Sequence, residues 1–132
     1  MNTEMLKRYL KMLLKMFNAD TDKKATMLLE MLKRANVEEG KLQLITNSTI
    51  KKQISELSNL SVSAVNNAIS KFIKVGILER KDFGVYIFNP KYFGNTEWKL
   101  IDNIILRIVL SKEIEFDVEF VYKELWKIWW HY

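Results

Sequence analysis

Residues 50–88 read IKKQISELSNLSVSAVNNAISKFIKVGILERKDFGVYIF, and this stretch decides the fold. Ile54 and Leu57 are placed on the inner face of a first helix, with Ser55 as the small residue where a second helix crosses. Asn59 falls where the connecting turn needs a left-handed backbone, which Gly and Asn tolerate best. Leu60 packs that turn, and Ser61 is an N-cap for the next helix. There Val65, Ile69, Phe72 and Ile73 recur at three and four residues and share one face. Ser63, Asn66, Asn67, Ser70 and Lys71 take the other. Gly76 then closes the helix at C′. Ile77–Lys81 and Val85–Phe88 read as two short strands around Asp82-Phe83-Gly84. Two helices joined by a tight turn and followed at once by a hairpin are the plan of a winged helix-turn-helix, whose second helix enters the DNA major groove.

Working outward, residues 3–17 predict an amphipathic helix. Met5, Leu6, Tyr9, Leu10, Met12, Leu13, Met16 and Phe17 form a broad apolar face opposite Lys7, Arg8, Lys11 and Lys15. Such a face packs on protein, in the core or against a second copy of the chain. Asp20 is the expected cap of a second helix over 25–35, with Leu28, Leu29, Met31 and Leu32 inward. Residues 37–41 read as a connection, and Leu42–Ile45 as a short strand against the wing. Beyond Asn89-Pro90, Thr96 is expected to cap a helix over 97–110 that packs through Trp98, Ile101, Ile104, Ile105, Ile108 and Val109. A last helix is expected from Asp117. The Trp-rich tail, Leu125 to Tyr132, covers the core or forms a subunit interface. The expected whole is mostly α with a small β-wing, in one domain. A helical extension spans 1–40, the winged-helix core 42–93, and a second helical extension 96–132.

The 132 residues carry a net charge of +5. Residues 1–40 hold eight Lys/Arg and six Asp/Glu, residues 41–99 nine and four, and residues 100–132 four and six. The excess therefore lies on the winged helix, where attraction to phosphate would need it. There is no Cys and a single His, His131. No metal cluster, phosphate-binding GxxxxGK[ST] loop or GxGxxG turn is present, and no His pair stands beside a Tyr as a DNA-nicking site would need. A non-enzymatic, cofactor-free and metal-free protein is expected. Lysines interrupt the first helix as they would not a secretory leader, and no apolar run is long enough for a membrane span, so a cytoplasmic location is expected.

Asn66 and Asn67 stand out within the second helix. Asn is a poor helix-interior residue, costing roughly half a kcal/mol or more against Ala, yet its amide can pair with N6 and N7 of adenine. Val62, Ser63, Asn66, Asn67 and Ser70 are the expected base contacts, Val62 through a thymine methyl. Thr46-Asn47-Ser48-Thr49 holds several possible N-caps, and a helix N-terminus there offers N–H groups to a phosphate. Lys51 and Lys52 oppose the helix dipole in its first turns, a cost an anion would offset. With Lys71 and Lys74, and Arg80, Lys81 and Lys91 on and after the wing, they complete the expected phosphate contacts. Phe83 at the wing tip is expected to pack back on the hairpin, the alternative being that it rests against a sugar.

From residue 42 to about 105 the chain resembles the RepL-type plasmid replication proteins of Firmicutes. The resemblance is carried by LITNSTIKKQISE, by LSVSAVNNAISKFIKVGILER, and above all by GVYIFNPKYFGNTEWKLI, with its Asn89-Pro90, Tyr92-Phe93-Gly94 and Trp98. It implies an initiator that recognises its plasmid's origin and relies on host replication proteins. A transcription regulator would use the same DNA-reading surface. A winged helix serving only protein assembly is the reading from another class. Homodimers through the N-terminal helix or the Trp-rich tail fit palindromic sites.

Overall fold

The computed structural model describes residues 3–19, 21–96, 98–110 and 114–123, the side chains of 99, 103, 105–110 and 114–116 excepted. Five helices and six strands follow in the order α1 (Thr3–Met16), α2 (Asp22–Lys33), β1 (Asn36–Glu38), β2 (Lys41–Ile45), α3 (Ser48–Ser58), α4 (Val62–Lys74), β3 (Leu78–Asp82), β4 (Val85–Phe88), α5 (Pro90–Phe93), a 3₁₀ turn (Trp98–Leu100), β5 (Ile101–Leu110) and β6 (Ile114–Tyr122). The chain is therefore mixed α/β rather than mostly α. None of its described helices is long and apolar enough to cross a membrane.

α3 and α4 form where capping and periodicity predict. Asn47 caps α3 by accepting from Ile50 N at 2.8 Å, and Ser61 caps α4 by accepting from Ala64 N at 3.0 Å. Asn59 ends α3 in the left-handed region at φ 57°, and Gly76 follows α4 at φ 84°. Buried Ser55 and Ser58 return their hydroxyl protons to the carbonyls of Leu60 and Ile54, so α3 presents small, satisfied groups where it meets its neighbours. This moves the buried arc of α3 toward Ser55 and Ser58. Leu57, expected inside, is displaced about a sixth of a turn beyond Ile54 at the edge of that arc and is 55% exposed.

The four-stranded antiparallel sheet has the order β1-β2-β4-β3. β2 pairs with β4 through Gln43↔Ile87 and Leu44↔Tyr86, as the sequence predicts for the strand at 42–45. β1 occupies what reads as a connection. Glu39 and Gly40, at φ 51° and 73°, turn it back onto β2. Two successive positive φ values are the mark of a type I′ hairpin, but Glu-Gly lacks the usual Asn-Gly or Asp-Gly signal.

α1 and α2 close one side of the core. Tyr9, Leu10, Leu13 and Leu14 of α1, and Leu28, Leu29, Met31 and Leu32 of α2, are buried in one cluster with Val65, Ile69, Phe72, Phe88 and Phe93. Met5, Met12 and Met16 fall outside it, so α1 buries a narrower stripe than its apolar composition predicts. α2 is capped by Thr21, whose side chain accepts from Lys24 N at 3.1 Å, one residue beyond the expected Asp20, which lies outside the described residues.

The largest departure lies after the sheet. Residues 101–110 and 114–122 pair as an antiparallel hairpin, from Ile101↔Tyr122 to Leu110↔Ile114, where helices over 97–110 and from Asp117 are expected. Thr96 caps no helix there. The first strand is rich in β-branched Ile and Val, which favour extended backbone. The second alternates Ile114, Phe116, Val118, Phe120 against Glu115, Asp117, Glu119, the period of two that marks a strand. The three-and-four spacing of the first strand is ambiguous alone, and its partner's alternation resolves it. The tail expected to hold the three Trp lies outside the described residues.

A chain of aromatic rings joins this hairpin to the body. Phe88 meets Phe93 at 5.2 Å between centroids, Phe93 meets Trp98 at 5.6 Å, Trp98 meets Tyr9 at 6.1 Å, and Tyr9 meets Phe120 at 6.5 Å. The polar ends are satisfied: Trp98 Nε1 donates to Phe93 O and Tyr9 Oη to Tyr92 O, at 2.8 and 2.7 Å. Burial, then the neighbouring Tyr92, push the ionisation of the Tyr9 hydroxyl upward. Asn89 ties the same region to α4. Its Nδ2 donates to Gly76 O at 2.8 Å, its N–H to Ile77 O at 3.1 Å, and its Oδ1 accepts from Lys91 N at 3.0 Å to start α5. The Asn-Pro and Tyr-Phe-Gly segments are thus structural joints, with Tyr92 and Phe93 buried.

Candidate nucleic-acid interface

Three elements converge on one open cleft of about 590 Å³. The start of α3 contributes Asn47, Ser48, Lys51 and Lys52. The start of α4 contributes Val62 and Asn66. The β3–β4 hairpin contributes Arg80, Phe83, Gly84 and Tyr86, and Thr46 sits at the join. Residues 33 positions apart in sequence, such as Asn47 and Arg80, come together because β2 feeds α3 while pairing with β4.

Each wall is built locally. α4 turns Val65, Ala68, Ile69 and Phe72 inward, which leaves Ser63, Asn66, Asn67 and Ser70 exposed and Val62 42% exposed. At the join, Thr46 N and Oγ1 both donate to Gly84 O, at 2.7 and 2.8 Å. Of the four residues read as possible caps, Thr46 therefore clamps the hairpin and Asn47 caps the helix. Ser48 and Thr49 lie exposed in the first turn of α3. Arg80 extends over the Tyr86 ring with its guanidinium carbon 5.9 Å from the centroid, which steadies a long side chain without neutralising it.

The cleft lining holds three cations and no carboxylate. Lys51, Lys52 and Arg80 form no ion pair among the described residues. No acidic residue stands in the first turn of α3, so its unpaired N–H groups and the two lysines present one positive surface.

Other expected contacts lie elsewhere. Thr49, Ser63, Asn67 and Ser70 are exposed but do not line the cleft. Lys71 is turned away, its ammonium donating to Asn18 O at 3.0 Å in the turn after α1. It serves as a tie between α4 and the N-terminal helices, because a half-buried Lys in the last turns of α4 reaches that carbonyl. Lys74 is exposed one turn further on. Lys81 occupies the bulge between Arg80 and Asp82, with its ammonium 3.8 Å from the Glu39 carboxylate. Lys91 belongs to α5, its ammonium 5.7 Å from the Tyr92 ring centroid.

Phe83 differs most from expectation. Instead of packing back, it is 94% exposed. The two-residue turn puts it at the apex, where no side of the hairpin is within reach. Asp82 Oδ1 accepts from Phe83 N at 2.7 Å and holds the turn. Gly84 and Tyr86, the first and third residues of the GVYIF run that carries the resemblance, complete the cleft wall.

Among the described residues, no group of three or more His, Cys, Asp or Glu is placed to hold a metal ion. No family model matches the chain, and neither a curated protein nor a solved structure matches it significantly.

Proposed function

We propose that this chain is a sequence-specific double-stranded DNA-binding protein of winged-helix type. In this reading α4 enters the major groove, the β3–β4 hairpin is the wing, and the cleft between them receives a phosphate ridge. The observation that carries the reading is the convergence of an uncharged, exposed amide-bearing helix start with three unpaired cations around one cleft. Base contact falls to Val62 and Asn66, with Ser63, Asn67 and Ser70 further round the same face. Phosphate contact falls to Lys51, Lys52, Arg80 and the α3 N-terminus.

The resemblance over residues 42–105 supports a narrower role: initiation of plasmid replication at an origin, with host enzymes supplying the chemistry. Met5, Met12 and Met16, exposed and eleven residues apart at most, share one stripe of α1, which supports a homodimer as the bound form. Selection of bound duplexes from a random pool tests the whole reading. Enrichment of a motif found in the origin of the protein's own replicon is the expected result, and a motif in its promoter would favour the regulator instead. Binding that fails to weaken as salt rises would reject the phosphate contacts.

A further inference from the structure

Phe83 is the most exposed large apolar side chain among the described residues, at 94%. An aromatic ring left in water gains nothing within the chain, and this one stands at the edge of the cationic cleft. Its placement is fixed. Gly84, at φ 71°, takes the backbone shape the turn needs, and its carbonyl is held twice by Thr46 at the foot of α3. The backbone that carries the ring therefore has a set position relative to Lys51, Lys52 and Asn66, with which Phe83 lines the cleft.

Resting on the DNA-binding reading, we propose that Phe83 is an apolar wedge that enters the minor groove next to the α4 site and partly unstacks a base step, bending the duplex. Two grooves of a duplex are separated by one phosphate ridge. If α4 lies in the major groove and the ridge lies in the cationic cleft, the element across the cleft meets the minor groove. The neighbours of the ring fit that partner. Arg80, lining the cleft and without an ion pair among the described residues, precedes it on the hairpin and can hold a phosphate while the ring meets sugars and base faces; the Asp82 carboxylate beside the ring is engaged by the Phe83 N–H, and Lys81 by Glu39. Phe is among the residues that act as wedges at deformable steps.

The test uses the full chain and two duplexes of equal length and composition, alternating d(TA)·d(TA) and homopolymeric d(A)·d(T), each carrying 2-aminopurine at a central adenine. The expected wild-type result is about tenfold tighter binding to the alternating duplex, whose TA steps unstack easily, with a rise in 2-aminopurine fluorescence. Phe83→Ala is expected to lose both the preference and the rise while keeping the salt dependence of binding, and Phe83→Trp to keep all three. Phe83→Ala retaining the preference and the rise would overturn the wedge and leave the DNA-binding reading standing. Wild-type protein showing no salt-dependent binding to either duplex would overturn that reading, and the wedge with it.

Discussion

The basic residues of the two N-terminal helices and those of the cleft are chemically alike but differently committed. In and just after α1 and α2, five of the eight are answered by carboxylates. Lys7 and Lys11 share Asp22 at 3.3 and 3.5 Å, Lys33 and Arg34 share Glu30 at 3.1 and 2.8 Å, and Arg8 reaches Glu4 at 3.7 Å. Around the cleft, Lys51, Lys52 and Arg80 have no such partner among the described residues. The first set closes its charges locally and helps two helices pack. The second leaves a positive surface that an external anion completes. Location relative to acid, more than the number of Lys and Arg, separates a structural charge from an available one.

The largest effect expected comes from emptying the cleft. Lys51→Ala, Lys52→Ala and Arg80→Ala together should reduce the log–log salt slope of duplex binding by about three units, measured by anisotropy across a salt series. Lys7→Ala with Lys11→Ala should leave that slope unchanged. An equal loss from both sets would erase the contrast.

Next, Asn66→Ala should lower discrimination at one base position by about 1–3 kcal/mol, read by competition between selected and mutated sites. The same change at Asn67, which does not line the cleft, should have less effect, and the reverse order would show that the helix sits rotated.

Gly84→Ala tests whether the cleft needs its hinge fixed. A Cβ there would stand 3.0 Å from Thr46 O, at φ 71°, so a loss of about 1–2 kcal/mol in urea unfolding is expected, with weaker duplex binding.

The smallest effect belongs to the paired region. Burial disfavours the Glu30 carboxylate, but hydrogen bonds from Arg34 and Lys33 outweigh it, and its ionisation is held below the usual carboxylate range. A depressed carboxylate stabilises the fold above its unfolded value, and that stability disappears as pH falls through the lowered one. Glu30→Gln should therefore cost less than about 1 kcal/mol near neutral pH, with the difference from wild type shrinking in acid and the salt slope of DNA binding unaffected. A difference that grew in acid would contradict the pairing.

Much of the centre of the molecule was legible from residue order. Ser61 and Asn59 mark the turn between α3 and α4, and the period of α4 assigns its inner and outer faces, because capping and amphipathic spacing are local signals. The C-terminal hairpin was not legible from its first strand. Ile101, Ile104, Ile105 and Ile108 satisfy a helical spacing by accident of an apolar run, and only pairing with 114–122 selects the strand. The direction of Lys71 depended on a carbonyl 53 residues away, and the exposure of Phe83 on the reach of a two-residue turn. Within the cleft, residue types could be read one wall at a time, but their meeting required the β2–β4 register.

Asn89 has a consequence beyond starting α5. One side-chain amide and one backbone N–H lock the exit of the hairpin to Gly76 and Ile77, just past the end of α4, and Thr46 locks the opposite end. The separation between helix and hairpin is thus a fixed gauge. A molecule held in that gauge must do the yielding itself, so selectivity can come from how cheaply a ligand deforms as well as from the atoms it displays.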